Sequence, residues 1–71
     1  MVKDKIGITL NGKPSEISGG LTLAGLLEEM KITPQMVACE LNLRIVRRAE
    51  HPNTPIAEGD QIEILQMIGG G

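Results

Sequence analysis

The sequence predicts an α+β domain in which a mixed five-stranded sheet packs one face against a single helix. Three observations carry that prediction. Residues 5–10 and 61–66 alternate apolar with small or polar side chains, the period of a half-buried strand. Leu23, Leu26, Leu27 and Met30 recur at helical spacing and form one apolar stripe. Asn11-Gly12, between the first two strand-like runs, is a strong hairpin signal because both residues accept positive φ.

The elements follow in order. Ile6, Ile8 and Leu10 define the inward face of the first strand, and residues 13–17 return after the Asn11-Gly12 turn. Pro14 lacks an N–H, which places this second strand at a sheet edge. Ser18-Gly19-Gly20 breaks the pattern, and Thr22 is the expected N-cap of a helix reaching Met30 or Lys31. Gly25 weakens that helix and is expected to let it approach the sheet closely. Pro34 opposes continuation of the helix. Val37, Cys39 and Leu41 share a face in the third strand, Asn42-Leu43 is a turn, and Arg44-Ile45-Val46 makes the fourth. Residues 47–59 read as an irregular connection anchored to the core by Ile56, and Glu58-Gly59-Asp60 turns into the last strand. The order β-β-α-β-β-β is that of the β-grasp, or ubiquitin-like, fold. The strongly alternating first and last strands are best suited to the sheet centre.

Composition narrows the function. The chain has 71 residues, no aromatic side chain and one cysteine. It therefore forms one domain with an aliphatic core, no internal disulfide and no aromatic platform for stacking bases. Seven Lys and Arg against nine Asp and Glu give a net charge of −2, which argues against nucleic-acid or anionic-membrane binding. There is no signal-peptide core and no run of about 18 apolar residues, so a soluble cytoplasmic protein is expected.

The last residues carry the chemistry. A β-grasp body over residues 1–66 is expected to be followed by a flexible tail over 67–71 that ends in Gly69-Gly70-Gly71. Termini commonly fray. Three glycines also make a thin arm that can thread a narrow channel and present the unhindered carboxylate of Gly71 to chemistry elsewhere. With Ile62 and Ile64 facing the helix, Glu63, Leu65 and Met67 face outward. Leu65 and Met67 are then candidates for a docking patch that leads through Ile68 into the glycines, set against the ordinary scatter of exposed apolar residues. Glu58, Asp60 and Glu63 are candidates for steering a basic partner, although turn chemistry alone explains Gly59-Asp60.

The remaining reactive residues have simpler readings. Cys39 shares parity with Val37 and Leu41 and is expected in the core. His51 has no neighbouring Cys or second His, so no metal site is expected. Gly19-Gly20 lacks the Lys-Ser/Thr continuation of a phosphate-binding loop and is read as a loop before the helix. Arg44, Arg47 and Arg48 read as a solvated basic cluster, with partner contact as the alternative.

Leu10-Asn11-Gly12-Lys13, Thr22-Leu23 with Leu26-Leu27, Val37-Ala38, Glu40-Leu41-Asn42, Ile45-Val46, residues 58–64 and Ile68-Gly69-Gly70-Gly71 occur in one ordered set. Over essentially the whole chain this resembles the ThiS family, the sulfur carriers of thiamine biosynthesis. The resemblance implies that Gly71 is adenylated with ATP by an E1-like enzyme of the ThiF type. Sulfur from a cysteine desulfurase then makes a C-terminal thiocarboxylate, which a thiazole synthase of the ThiG type consumes. It implies a carrier with no catalytic residue, metal or bound cofactor of its own. Carriers of the MoaD type and ubiquitin-like protein modifiers share the fold and acyl adenylation, and both remain alternatives. A pure interaction domain is a third, for which the tail is dispensable.

Overall fold

The computed structural model describes residues 4–67. Strand β1 (Lys5–Leu10) turns back into β2 (Lys13–Ser18), helix α1 (Leu23–Glu29) follows, and β3 (Val37–Leu41), β4 (Arg44–Val46) and β5 (Gln61–Gln66) complete one sheet. Short 3-10 turns at Pro34–Met36 and Arg48–Asn53 lie between these elements. The sheet order is β2-β1-β5-β3-β4. The last strand therefore occupies the centre, with β1 parallel to it and β3 antiparallel. The β-grasp expectation holds, and Pro14 sits on the edge strand β2, where its missing N–H leaves no ladder position empty.

Both hairpin turns use left-handed backbone. Asn11 and Gly12 have φ of 50° and 82°, and Asn42 and Leu43 have φ of 52° and 70°. Two successive positive φ values match the right-handed twist of the flanking strands. The β1–β2 register sets Ile6 opposite Ile17 and Ile8 opposite Ser15, so β2 contributes one buried side chain, Ile17. Gly19 lies against the start of β1, where its N–H donates to Asp4 O at 2.7 Å. A Cβ there would stand 2.9 Å from that carbonyl oxygen, which accounts for Gly19 without a phosphate.

Helix α1 buries Leu23, Leu26 and Leu27 against the sheet. Thr22 caps it by accepting from Gly25 N at 3.1 Å, and Leu23 N donates to Thr54 O at 2.8 Å. Two N–H groups that the helix cannot satisfy internally are thereby paired. Gly25 acts differently from the sequence expectation. A Cβ on it would meet Leu21 Cδ2 at 3.2 Å and Thr22 Oγ1 at 3.6 Å, so its neighbours are the residues before the helix and not the sheet. The helix also stops before Pro34 can act. Lys31 takes φ of 60°, Lys31 N donates to Glu28 O at 3.1 Å, and Ile32 N donates to Leu27 O at 2.9 Å. This pair of bonds is a Schellman end, usually built on glycine, with lysine in the left-handed position.

Residues 47–59 are more ordered than an irregular connection. The turn Arg48–Asn53 packs on α1 and buries His51, while Ile56 is buried in the core as expected. The aliphatic core is completed by Ile8, Ile62 and Cys39, with the partly buried Ile64 and Val46 directly across from Cys39 on neighbouring strands. Burial pushes the Cys39 thiol above its ordinary value of 9.0 by desolvating the thiolate.

Two outcomes follow from this packing. Lys31→Gly removes the left-handed strain and should raise stability by about 0.5–1 kcal/mol in urea unfolding. Native Cys39 should resist a thiol reagent at pH 8 and react fully only in denaturant. Because the folded thiol keeps its proton where the unfolded one loses it, stability should also fall as pH rises above 9.0.

Candidate functional site

The helix covers one face of the sheet, and the opposite face carries the candidate site. Ile62 is buried and Ile64 packs on the core, so the intervening Glu63 and the next two odd residues point away from the helix. Leu65 and Met67 are 50% and 52% exposed. Leu65 pairs with Ala38 on β3, and Glu63 pairs with Glu40. Met67 N donates to Met36 O at 2.9 Å, carrying the pairing one residue past β5. On the far side of β3, Ile45 stands opposite Glu40 and is 76% exposed.

Strand pairing thus assembles an apolar surface from Leu65, Met67, Ala38 and Ile45. Sequence reasoning named only the first two. The inward parity of Val37, Cys39 and Leu41 already implied an outward Ala38 and Glu40. The proximity of Ile45 depends on strand order, which periodicity does not encode. The apposed Glu63 and Glu40 place like charges directly across a strand pair, an arrangement unfavourable in the free domain and suited to a basic group set between them.

Glu58 and Asp60 belong to a different region. They precede β5, whereas the tail leaves from its other end, about 20 Å away along a six-residue strand. Glu58 Oε1 accepts from Gly7 N at 3.2 Å. Asp60 Oδ2 accepts from Ala57 N at 2.8 Å, and its Oδ1 accepts from Asn42 Nδ2 at 3.1 Å. Asn42 Oδ1 in turn accepts from Gln61 N at 2.9 Å. Glu58 thus ties its loop to β1, and Asp60 with Asn42 ties loop backbone to the start of β5. Ile68, Gly69, Gly70 and Gly71 lie outside the described residues.

His51 is the buried polar side chain of the described region. Its Nε2 donates to Val46 O at 3.2 Å, and Nδ1 has no partner. Among the described residues no group of three or more His, Cys, Asp and Glu could hold a metal ion. No helix among them is long and apolar enough to cross a membrane. Arg44, Arg47 and Arg48 are exposed around β4 and the start of the 3-10 turn that follows it.

Comparison with known proteins adds four findings. A family model described as the ThiS family matches residues 8–71. A thiazole synthase of Magnetococcus marinus is 42% identical over 64 residues, which make up 90% of this chain but 20% of that protein. The chain therefore spans about a fifth of that relative. The sulfur carrier protein ThiS of Thermus thermophilus is 36% identical over 64 residues, 90% of this chain and 98% of that one. The crystal structure of a thiamine biosynthesis protein (ThiS) from Geobacter metallireducens superposes with a TM-score of 0.81 at 35% identity, covering 93% of this chain and all of that one.

The two kinds of acidic residue should separate experimentally. Asp60→Ala removes an acceptor from two hydrogen bonds and should cost about 2 kcal/mol in urea unfolding. Glu63→Ala should change stability by less than about 0.5 kcal/mol, because an exposed side chain is lost and its repulsion with Glu40 relieved.

Proposed function

The chain belongs to the ThiS family, and from that membership we propose that it is a sulfur carrier protein of thiamine biosynthesis, with the Gly71 carboxylate as its working group. The reading is carried by the continuity of the exposed Leu65–Met67 surface with the chain that leads to the glycines. A body with a docking face at the root of a thin arm suits a protein that is handed from one enzyme to the next.

The chemistry explains the arm. A carboxylate resists nucleophiles because it is anionic and has no competent leaving group. An E1-like enzyme of the ThiF type would transfer AMP from ATP to Gly71, releasing pyrophosphate and leaving a mixed anhydride. The terminal sulfur of a desulfurase-derived persulfide then attacks the acyl carbon and expels AMP. A thiol takes the outer sulfur of the resulting acyl disulfide into a new disulfide, and the thiocarboxylate is released. Glycine at 69 and 70 keeps side chains out of the channel, and glycine at 71 leaves the carbonyl open to approach. The carrier acts as a cytoplasmic co-substrate, and its partners supply the ATP site and the catalytic groups.

A thiazole synthase of the ThiG type is the acceptor this reading assigns. It is supported by the thiazole synthase chain that contains a segment similar to this one, since a carrier joined to its acceptor works at high local concentration. Docking falls to Leu65, Met67 and Glu63, with Ile68 continuing from them. Glu58 and Asp60, at the far end of β5, contribute to the longer-range field.

Incubation with ATP, a ThiF-type enzyme and a sulfur source should exchange one terminal oxygen for sulfur, read by intact mass. Deletion of Gly70-Gly71 should abolish the product, and Leu65→Asp should raise KM about tenfold while the domain stays folded. Cys39→Ala should still accept sulfur. An isopeptide adduct on another protein would mark a modifier instead, and activity retained without Gly70-Gly71 would sink the carrier reading.

A further inference from the structure

Strand β5 outruns its parallel neighbour. The β1–β5 register ends at Leu10 opposite Ile62, so residues 63–66 have β3 on one side and no strand of the described residues on the other. Asn11 stands where β1 stops. Its N–H donates to Ile62 O at 2.9 Å, and its side-chain Oδ1 accepts from Ile64 N at 2.7 Å. The carboxamide therefore supplies the acceptor that the backbone carbonyl at this position would supply if β1 continued. Met67 N points the other way, to Met36 O. Among the described residues, the Asn11 carboxamide makes the last hydrogen bond on the β1 side of β5 before the arm.

We infer that Asn11 is a positioning residue for the C-terminal arm: its carboxamide holds Ile64 on the side that β1 has left, so that β5, paired to β3 on its other side, leaves the body in a fixed line. The turn does not require this side chain, since glycine meets a φ of 50° at least as well. The role rests on the carrier reading, because an arm needs aiming only if its end must reach an active site. A partner's channel stretches the glycines, and a stretched arm passes on the tilt of its root. A tilt of roughly 10° at Met67 moves an extended end four residues later by about 2 Å. Displacements smaller than that lower rates by large factors.

The test compares three variants with the full wild-type chain. Asn11→Gly keeps the positive-φ turn and removes the carboxamide. Asn11→Asp keeps an acceptor at the same position. Ile17→Val trims the core on edge strand β2, away from β5, and controls for stability. Amide exchange reads the clamp, and kcat and KM for sulfur uptake at Gly71 read its consequence. In Asn11→Gly, exchange at Ile64 should rise about tenfold relative to Leu10 and Lys13. Its kcat should fall about three- to tenfold with KM unchanged, because the Leu65–Met67 face is intact. Asn11→Asp should stay within about twofold of wild type, and Ile17→Val should keep the wild-type kcat. Wild-type exchange at Ile64 in Asn11→Gly, or faster exchange with unchanged kcat, overturns the inference. An equal loss of kcat in Ile17→Val does the same. A wild-type chain that takes up no sulfur ends the carrier reading and the positioning role with it, and the exchange data then still decide whether the clamp exists.

Discussion

Everything in this sheet depends on β5 finding its place between two hairpins. The β1–β2 and β3–β4 pairs are each closed by a two-residue turn, but neither touches the other. Only β5 joins them, through five paired positions with β3 and two with β1. Its central position also completes the floor on which α1 lies, because Ile62 and Ile64 fill the space between Ile8 and Cys39. Without the last strand, the leucine stripe of the helix would have no continuous surface to cover. The strand that organises the core is the one from which the C-terminal tail departs.

The two turns do more than reverse the chain. Asn11 and Asn42 both sit at positive φ, and each extends its carboxamide to an N–H of β5, at Ile64 and Gln61 respectively. A short polar side chain that tolerates the left-handed region can serve a turn and a neighbouring strand together. Asp60 adds a second layer by accepting from both Ala57 N and Asn42 Nδ2. The central strand is thus secured by side chains as well as by its ladder, which compensates for the brevity of its parallel pairing with β1.

This arrangement separates the tasks of the carrier. The covered face of the sheet supplies stability, the open face presents Leu65, Met67 and Ile45, and the proposed mechanism leaves reactive chemistry to the glycines beyond. Cys39, the residue most readily suspected of handling sulfur, is enclosed where its thiolate is disfavoured. In the proposed mechanism, keeping the one thiol out of reach prevents it from competing with the terminal acyl group for persulfide sulfur. The proposed mechanism therefore places the reactive carbon outside the packed body, on the part of the chain that can enter another protein.

By itself the sequence determined the kind and facing of the five strands and the helix. Spacing set Leu23, Leu26 and Leu27 on one side of a helix, Ile6, Ile8 and Ile62 on the inner face of strands, and Leu65 on the outer one. Pro14 marked an edge, and Asn11-Gly12 marked a turn. These are local properties, decided by backbone sterics and by which side chains avoid water. The helix end was less legible, because lysine and not glycine fills its left-handed position. Tertiary structure alone decided the neighbours. It buried His51, brought Ile45 to the same face as Leu65, tied Asp60 to Asn42, and brought Asn11 to Ile64 across 53 residues of chain. A repeat of two residues tells a strand which face is inward, but not which strand lies beside it; that is settled when distant segments compete to bury the same aliphatic surface.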